Sequence, residues 1–309
     1  MKVIIPNNIL TISNYVARCD YIFTQTFSEI KYENNRLSEI TDNSTVYCWS
    51  GFLNALFSYL KTTNIQNITL ISGCEDIPSN PNGIVMGFPL RPLQNIIPCP
   101  KNIKKWYAQN AEICSDFMKP IPIGTNIFPQ SSKTMKKYLI NVQRNKLVFV
   151  NFNSGTNPLQ RNFIKNLISE QCPSVVDNPI TGIEEYTKHL QQHIFSICPP
   201  GNGKDTHRMW ESIYYGCIPV VEKSNMNDFF ATLFPILVVD RWTDVNEEFL
   251  YSKYEQIKLK SWKYDLLDVG NYFNYIDIKI NNKHKGYQDI VESILGSGGP
   301  VYEKNIIYL

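Results

Sequence analysis

An arginine and a glutamate, Arg208 and Glu211, stand three residues apart just after a loop that contains two glycines. Helical periodicity begins at this point, and the first turn of a helix has free backbone N–H groups that favour anions. A guanidinium there can bind a phosphate, and a carboxylate one turn further can accept hydrogen bonds from ribose hydroxyls. The alternative is a solvated ion pair between the two side chains, of little energetic weight.

The loop before Arg208 offers more groups to the same ligand. Its backbone amides and side chains precede the helix start, and His207 stands directly beside the arginine. We therefore expect a phosphate-and-ribose site that also includes Asn202, Gly203, Asp205 and His207.

The segment around this loop reads as strand, loop, helix and strand. Ile194–Cys198 is an apolar run stopped by two prolines, Asp205 or Thr206 can cap the helix, and Gly216 ends it before an apolar Cys217–Glu222. This order is the building unit of a parallel α/β sheet.

The helix has two distinct sides at 100° per residue. The apolar side, expected to face the sheet, carries Met209, Trp210, Ile213 and Tyr214. The opposite side carries Arg208, Glu211, Ser212 and Tyr215.

Two common nucleotide-binding patterns fail in this loop. A P-loop needs glycine where Cys198 stands and Ser or Thr where Asp205 stands, and the third glycine of the dinucleotide fingerprint is replaced by Thr206. The phosphate site is therefore of another kind.

The segment from Phe195 to Glu222 resembles the donor-binding core of exostosin-like glycosyltransferases. That family has a C-P-x-G loop, R-x-x-E on a helix and a G-x-I-P-V-V strand, and the corresponding residues here are Cys198, Pro199, Gly201, Arg208, Glu211, Gly216, Ile218, Pro219, Val220 and Val221. Two upstream stretches, Trp106–Asn110 and Ile121–Gly124, are similar to the acceptor half of some members. Arg161 resembles a basic residue that the family places near the donor phosphates. Trp106 and Tyr107 themselves suit either core packing or a sugar platform.

The resemblance implies an α/β protein of the GT-B fold, with two Rossmann-like domains that face each other across a cleft. We expect an acceptor domain at 1–140, a nucleotide-sugar donor domain at 141–285, and a helix or tail at 286–309 that packs back on the first domain. The implied activity is transfer of a hexosyl or pentosyl group from a nucleotide sugar, with UDP favoured, to a glycan, protein or lipid-linked acceptor. The alternatives are an inactive binding or scaffold protein of the same fold and a sugar-nucleotide epimerase.

Most exostosin-like enzymes invert the anomeric centre, which requires a base on the acceptor hydroxyl. Glu75 and Asp76 follow a buried strand, Asn67–Ser72, and so lie at the edge where open α/β sheets bind ligands. We predict Asp76 as the base, with Glu75 and then His207 as alternatives. The competing interpretation of the two carboxylates is an exposed turn.

We expect no metal and no cofactor apart from the nucleotide-sugar co-substrate. The chain has no D-x-D motif, and His189 and His193 have the i, i+4 spacing of two metal ligands but no evident third ligand.

The composition is that of a folded globular protein. The 309 residues are 43% hydrophobic with a net charge of +2, which argues against a nucleic-acid partner, and no stretch has the roughly 20 apolar residues of a membrane span. Eight cysteines without C-x-x-C spacing, together with the lack of a signal sequence, favour a cytosolic protein with reduced thiols.

Other elements follow from local patterns. We predict strands at Lys2–Ile5, Ile84–Leu90 and Ser174–Asp177, a helix from Lys104, and a linker at 129–146. A further helix begins at Asn157-Pro158, and its predicted core face contains Phe163, Ile164, Leu167 and Ile168.

Overall fold

The computed structural model describes residues 1–16, 18–23, 37–73, 78–82, 98–127, 130–173 and 182–278. Their strands form two separate sheets, and every strand pairing in both is parallel. The predicted α/β class with parallel sheets is confirmed. In each sheet, strands that follow one another in the chain are also neighbours in space.

The first sheet has the order β1-β2-β3-β4-β5 and the second has the order β6-β7-β8-β9. The strands are β1 (Tyr21–Phe23), β2 (Thr45–Trp49), β3 (Ile68–Gly73), β4 (Ile103–Ala108), β5 (Met118–Pro120), β6 (Lys146–Phe149), β7 (His193–Ile197), β8 (Ile218–Glu222) and β9 (Leu237–Val239).

The helices within the described ranges connect and flank these strands. They are α1 (Ile12–Val16), α2 (Leu53–Lys61), α3 (Ser132–Lys137), α4 (Pro158–Gln171), α5 (Ile183–Gln192), α6 (His207–Tyr214), α7 (Asn225–Ala231), α8 (Glu247–Lys258) and α9 (Val269–Tyr275). Short 3₁₀ turns cover Leu37–Glu39, Ser50–Phe52, Ser154–Thr156, Trp242–Asp244 and Tyr264–Leu267. None of the helices in the described part of the chain has the length and hydropathy that a membrane crossing requires.

The unit around the candidate loop has the predicted form. β7 leads through the loop into α6, whose N-cap residue is Thr206, and Gly216 follows the helix with φ of +76° before β8 begins. This left-handed conformation is one that glycine adopts without steric cost, which explains why α6 ends there.

The segment after Lys104 is a strand, so the predicted helix is wrong. In β4 the side chains of Trp106 and Tyr107 point to opposite faces of the sheet, because Trp106 packs in the core with α2 while Tyr107 packs in the core shared with the second sheet. Alternate burial of aromatic residues is the strand pattern. Both rings are fully buried, which supports core packing over a sugar platform.

Two other expectations fail within the described residues. Lys2–Ile5 forms no strand, and the N–H of Ile4 instead donates to the carbonyl of Tyr214 at the end of α6, at 3.0 Å. On α4, Phe163 is 55% exposed, and Arg161 takes an inner position beside Ile164 and Ile168. The predicted strands Ile84–Leu90 and Ser174–Asp177 lie outside the described residues.

One hydrophobic core joins the two sheets. It contains Tyr107 and Ile121 from the first sheet and its following loop, Phe149 from the second sheet, Trp210 from α6, and the segment from Leu266 to Ile278. The α6 helix is consequently buried on both sides, since its second side is covered by the first half of the chain.

The C-terminal part of the described chain returns to the first half. The N–H of Val269 donates to the carbonyl of Asn8 at 2.8 Å, and the hydroxyl of Tyr272 donates to the carbonyl of Pro120 at 2.9 Å. Tyr107 in turn donates to the carbonyl of Ile276 at 2.5 Å. The crossing therefore occurs before the predicted tail at 286–309, which lies outside the described residues.

Candidate functional site

The loop between β7 and α6 is compact and closely surrounded. The N–H of Gly201 donates to the carbonyl of Gly203 at 2.9 Å. A methyl group on Gly201 would lie 2.8 Å from Nη2 of Arg161, and one on Gly203 would lie 2.8 Å from Oδ1 of Asn110. A side chain at either position would therefore require Arg161 or Asn110 to move.

Arg161 fixes the loop by hydrogen bonds to backbone carbonyls. Its guanidinium donates to the carbonyls of Pro199 (3.3 Å), Pro200 (3.0 Å) and Asn153 (2.6 Å), and it lies over the ring of Phe152. The side chain is 9% exposed. These contacts make Arg161 a positioning residue for the loop, and its expected contact with a donor phosphate stays a prediction.

Asp205 connects the loop to the first half of the chain. Its carboxylate accepts from the N–H of Ile123 and from the indole N–H of Trp210, both at 2.7 Å, and its own N–H donates to Oδ1 of Asn110 at 2.9 Å. Asp205 is 2% exposed, so its carboxylate stabilises the folded structure through these two hydrogen bonds. Its expected contact with the substrate stays a prediction.

Asn110 lies just after β4 with φ of +51°, in the left-handed region that asparagine tolerates. The N–H of Asp205 donates to the side-chain amide of Asn110, so the amide atom that it contacts must be the oxygen, Oδ1. The second terminal atom of that amide is therefore the nitrogen, Nδ2. That nitrogen is buried, lies 2.9 Å from where a Cβ on Gly203 would be, and has no hydrogen-bond partner in the described structure.

Three more buried side-chain groups around the loop have no partner among the described residues: Oγ1 of Thr156, Oγ1 of Thr206 and Nη1 of Arg208. Thr156 flanks Gly201, whereas Thr206 and Arg208 begin α6. Together with Asn110, they surround the loop with four groups able to donate hydrogen bonds. A buried donor without a partner costs about 1–3 kcal/mol, so such a concentration indicates a site for a hydrogen-bond acceptor.

Arg208 and Glu211 do not form the ion pair that their spacing allows. Glu211 is 5% exposed, and its Oε1 accepts from the N–H of Asn126 (2.9 Å) and the hydroxyl of Thr125 (3.3 Å). Its Oε2 accepts from the hydroxyl of Tyr186 at 2.7 Å, while the guanidinium of Arg208 lies 5.1 Å from the centre of the same tyrosine ring. The solvated pair proposed as the alternative is therefore not what the structure shows.

His207 contacts the loop after β5. Its Nδ1 lies 2.8 Å from the carbonyl oxygen of Gly124, and because a carbonyl can only accept, this contact assigns a proton to Nδ1. Asn202, half-buried, and Gly203, buried, lie in the loop as expected. Glu75 and Asp76 lie outside the described residues, and Gly73, which ends β3, is packed against Gln109 at the end of β4.

His189 and His193 stack on one another, with ring centres 5.4 Å apart, but each has another neighbour. Nε2 of His189 pairs with Glu185 at 3.2 Å, and Nδ1 of His193 lies 2.7 Å from the carbonyl of His189. Burial lowers the pKa of His193 to about 4. In the described part of the chain, no group of three His, Cys, Asp or Glu side chains is arranged to hold a metal.

Sequence reasoning missed Asn110, Tyr186 and the pair Thr125-Asn126 as neighbours of the site. A signal existed for Asn110, which ends the W-Y-A-Q-N stretch, and for Thr125-Asn126, which directly follow the I-P-I-G stretch, because both stretches carry the family resemblance. The structure shows that both stretches contact α6 or its loop. Tyr186 had no such signal.

Comparisons with known proteins give a matching family model and distant solved structures, one of which is described here. The model of the Exostosin GT47 domain matches residues 95–229. No curated protein matches the chain. A solved structure described as trehalose-6-phosphate from E. coli bound with UDP-2-fluoro glucose is 9% identical, with a TM-score of 0.38, over 84% of this chain and 74% of that one.

Proposed function

We propose, from the match of residues 95–229 to the Exostosin GT47 domain, that the chain is a glycosyltransferase of this family and transfers a sugar from a UDP-sugar to a hydroxyl acceptor. The choice of UDP follows the resemblance of the Cys198–Glu222 segment to donor-binding cores of this family. The acceptor is a glycan, a protein or a lipid-linked sugar.

One observation carries the donor assignment. Asn110, Thr156, Thr206 and Arg208 each have a buried group without a hydrogen-bond partner in the described structure, and all four lie around one loop at the start of a helix. A diphosphate supplies several acceptor oxygens and negative charge, which suits these donors, the guanidinium and the helix N-terminus together.

The proposed reaction inverts the anomeric centre. A base takes the proton from the acceptor hydroxyl, the oxygen attacks the anomeric carbon, and the bond from that carbon to the diphosphate breaks with its electron pair leaving on the phosphate oxygen. Arg208 and the N–H groups of α6 stabilise the charge of the leaving group, so we propose that no metal is required. Asp76 is the proposed base, with Glu75 and His207 as alternatives.

We propose that residues 1–140 form the acceptor-binding domain and that residues 141–285 form the donor-binding domain. Residues 286–309 are proposed to pack back on the first domain. Contacts from Asn110, Ile123 and Gly124 to the donor loop and α6 support this arrangement, because they bring the two halves together at the proposed site. A cytosolic location remains part of the proposal.

A binding and hydrolysis experiment tests the function. The purified protein is titrated with UDP, GDP, ADP and CDP by calorimetry, and hydrolysis of the corresponding sugar nucleotides is followed with and without EDTA. We expect selective UDP binding and slow UDP-sugar hydrolysis that persists in EDTA. Binding without hydrolysis or transfer indicates a scaffold, interconversion of sugars without acceptor indicates an epimerase, and no nucleotide binding refutes the proposal.

A further inference from the structure

Arg208 and Glu211 are one turn apart on α6, a spacing at which opposite charges ordinarily attract. Within the described chain, the two side chains nevertheless make no ion pair, and each instead contacts Tyr186 of α5. The ring of this tyrosine supports the guanidinium at 5.1 Å, and its hydroxyl donates to Oε2 of Glu211 at 2.7 Å.

Tyr186 is suited to this position by its surroundings. Its ring centre lies 6.2 Å from that of Phe149 at the end of β6, so the second sheet supports the tyrosine. Burial and the neighbouring Glu211 carboxylate raise the pKa of the Tyr186 hydroxyl well above its usual range. The hydroxyl therefore keeps its proton at neutral pH and acts as the donor.

Glu211 is stabilised by three neutral donors instead of a cation. The N–H of Asn126 and the hydroxyl of Thr125 satisfy Oε1, and the hydroxyl of Tyr186 satisfies Oε2. The consequence for Arg208 is that no carboxylate of the described chain neutralises it, and its Nη1 has no hydrogen-bond partner there.

We propose that Tyr186 is a positioning residue that separates Arg208 from Glu211 and thereby keeps the charge of Arg208 available to the diphosphate of the donor. This inference rests on the proposed donor site. Without the hydroxyl, Oε2 of Glu211 loses its donor, and Arg208, one turn away on α6, can pair with it. An anionic ligand then has to compete with Glu211 for the guanidinium.

Inorganic pyrophosphate is the probe of choice, because it has no ribose and so reports on Arg208 without any contribution from Glu211 to ribose binding. Calorimetry with pyrophosphate and with UDP compares wild type with Tyr186→Phe, Glu211→Gln and the double variant Tyr186→Phe/Glu211→Gln. Tyr251→Phe is the matched control, since Tyr251 is 53% exposed on α8.

We expect Tyr186→Phe to weaken pyrophosphate binding about tenfold, in the range for one hydrogen bond to a charged group. The double variant restores the affinity, because the competing carboxylate has gone. Glu211→Gln alone changes pyrophosphate affinity less than Tyr186→Phe does, since Glu211 does not hold Arg208 in the wild type.

Three results overturn the inference while leaving the donor site intact. These are wild-type pyrophosphate affinity in Tyr186→Phe, a loss that Glu211→Gln does not restore, and a large gain of affinity in Glu211→Gln alone. The measurement on Glu211→Gln alone leaves Tyr186 unchanged, so it tests the inference even if Tyr186→Phe does not fold. Wild-type protein that binds neither pyrophosphate nor UDP refutes the proposed function as well.

Discussion

The N–H of Asp205 donates to the side-chain oxygen of Asn110 at 2.9 Å, which joins the loop before α6 to the end of β4 in the other sheet. The same hydrogen bond orients the amide of Asn110 so that its donor nitrogen, Nδ2, lies beside Gly203. A residue from the first half of the chain thus places a hydrogen-bond donor at the loop before α6. The loop conformation thus depends on both sheets.

The unpartnered guanidinium nitrogen of Arg208 leads to the first prediction. Arg208→Ala should weaken UDP binding by about 1.5–3 kcal/mol, the range for hydrogen bonds to charged groups, with little change in stability because the side chain is only half-buried. Calorimetry measures the affinity. Lys204→Ala, an exposed cation in the same loop, is the control and should retain wild-type affinity. Equal affinities in both variants contradict the assignment.

Arg161 should matter for stability more than a surface arginine does. Arg161→Lys cannot reproduce three hydrogen bonds to carbonyls of Asn153, Pro199 and Pro200, so the free energy of unfolding should fall by about 1.5–3 kcal/mol. Urea denaturation measures the loss. Asn162→Ala, at the next and exposed position of α4, should be neutral. A lysine variant as stable as wild type would show that the loop does not depend on these bonds.

Gly203 and Asn110 should be coupled in size. Gly203→Ala places a methyl group 2.8 Å from Oδ1 of Asn110, and such overpacking typically destabilises by about 1–3 kcal/mol. In an Asn110→Gly background the same change should cost much less, and glycine tolerates the positive φ at that position. A double-mutant cycle on unfolding free energies measures the coupling. Simple additivity of the two changes argues against the contact.

His193 should make stability depend on pH between about 4 and 6.5. Its pKa is lowered to about 4 by burial, so in this window the unfolded chain binds a proton that the folded protein excludes. Stability is therefore full above pH 6.5 and falls as the pH decreases, by on the order of 3 kcal/mol at pH 4.

Charges near His193 come from Lys146 and Arg144, which oppose protonation, while the adjacent His189 pairs with Glu185. Comparison of urea denaturation at pH 7 and pH 5 for wild type and His193→Asn tests the effect. The asparagine variant should lose this part of the pH dependence, and an unchanged slope excludes His193 as its source.

The proposed base gives the last prediction. Asp76→Asn should reduce turnover by roughly 10²–10⁴-fold without a change in UDP affinity, since positioned proton transfer has that range. Glu75→Gln serves as the matched variant, and steady-state transfer assays give the rates. Full activity in Asp76→Asn transfers the assignment to Glu75 or to Nε2 of His207.

The sequence was sufficient for elements whose pattern is local. The strand–loop–helix–strand unit around Arg208 follows from its prolines, cap and Gly216, and α4 begins at Pro158 as the Asn157-Pro158 pair predicts. It was insufficient where contacts between distant segments determine the secondary structure or the burial of a side chain. β4 has too short an alternating pattern to outweigh the helical interpretation of Lys104–Asn110, and the inner position of Arg161 on α4 depends on carbonyls that are far away in sequence.

The contacts of the site could not be predicted for a similar reason. The i, i+3 spacing of Arg208 and Glu211 suggests a pair, but the partners of Glu211 come from Thr125, Asn126 and Tyr186, on segments whose proximity only the fold establishes. The same holds for Asp205, whose carboxylate binds Ile123 and Trp210.

Both ends of the described chain cross to the opposite half: Ile4 bonds to the end of α6, and Val269 bonds to Asn8. The segment between α3 and β6 is different, because Leu139 and Ile140 are about 40% exposed there. If the backbone were cleaved in this segment, the two fragments would still be held together, because the N-terminal segment of the first contacts the second and the C-terminal segment of the second contacts the first. They should copurify as a nicked complex and separate only in denaturant.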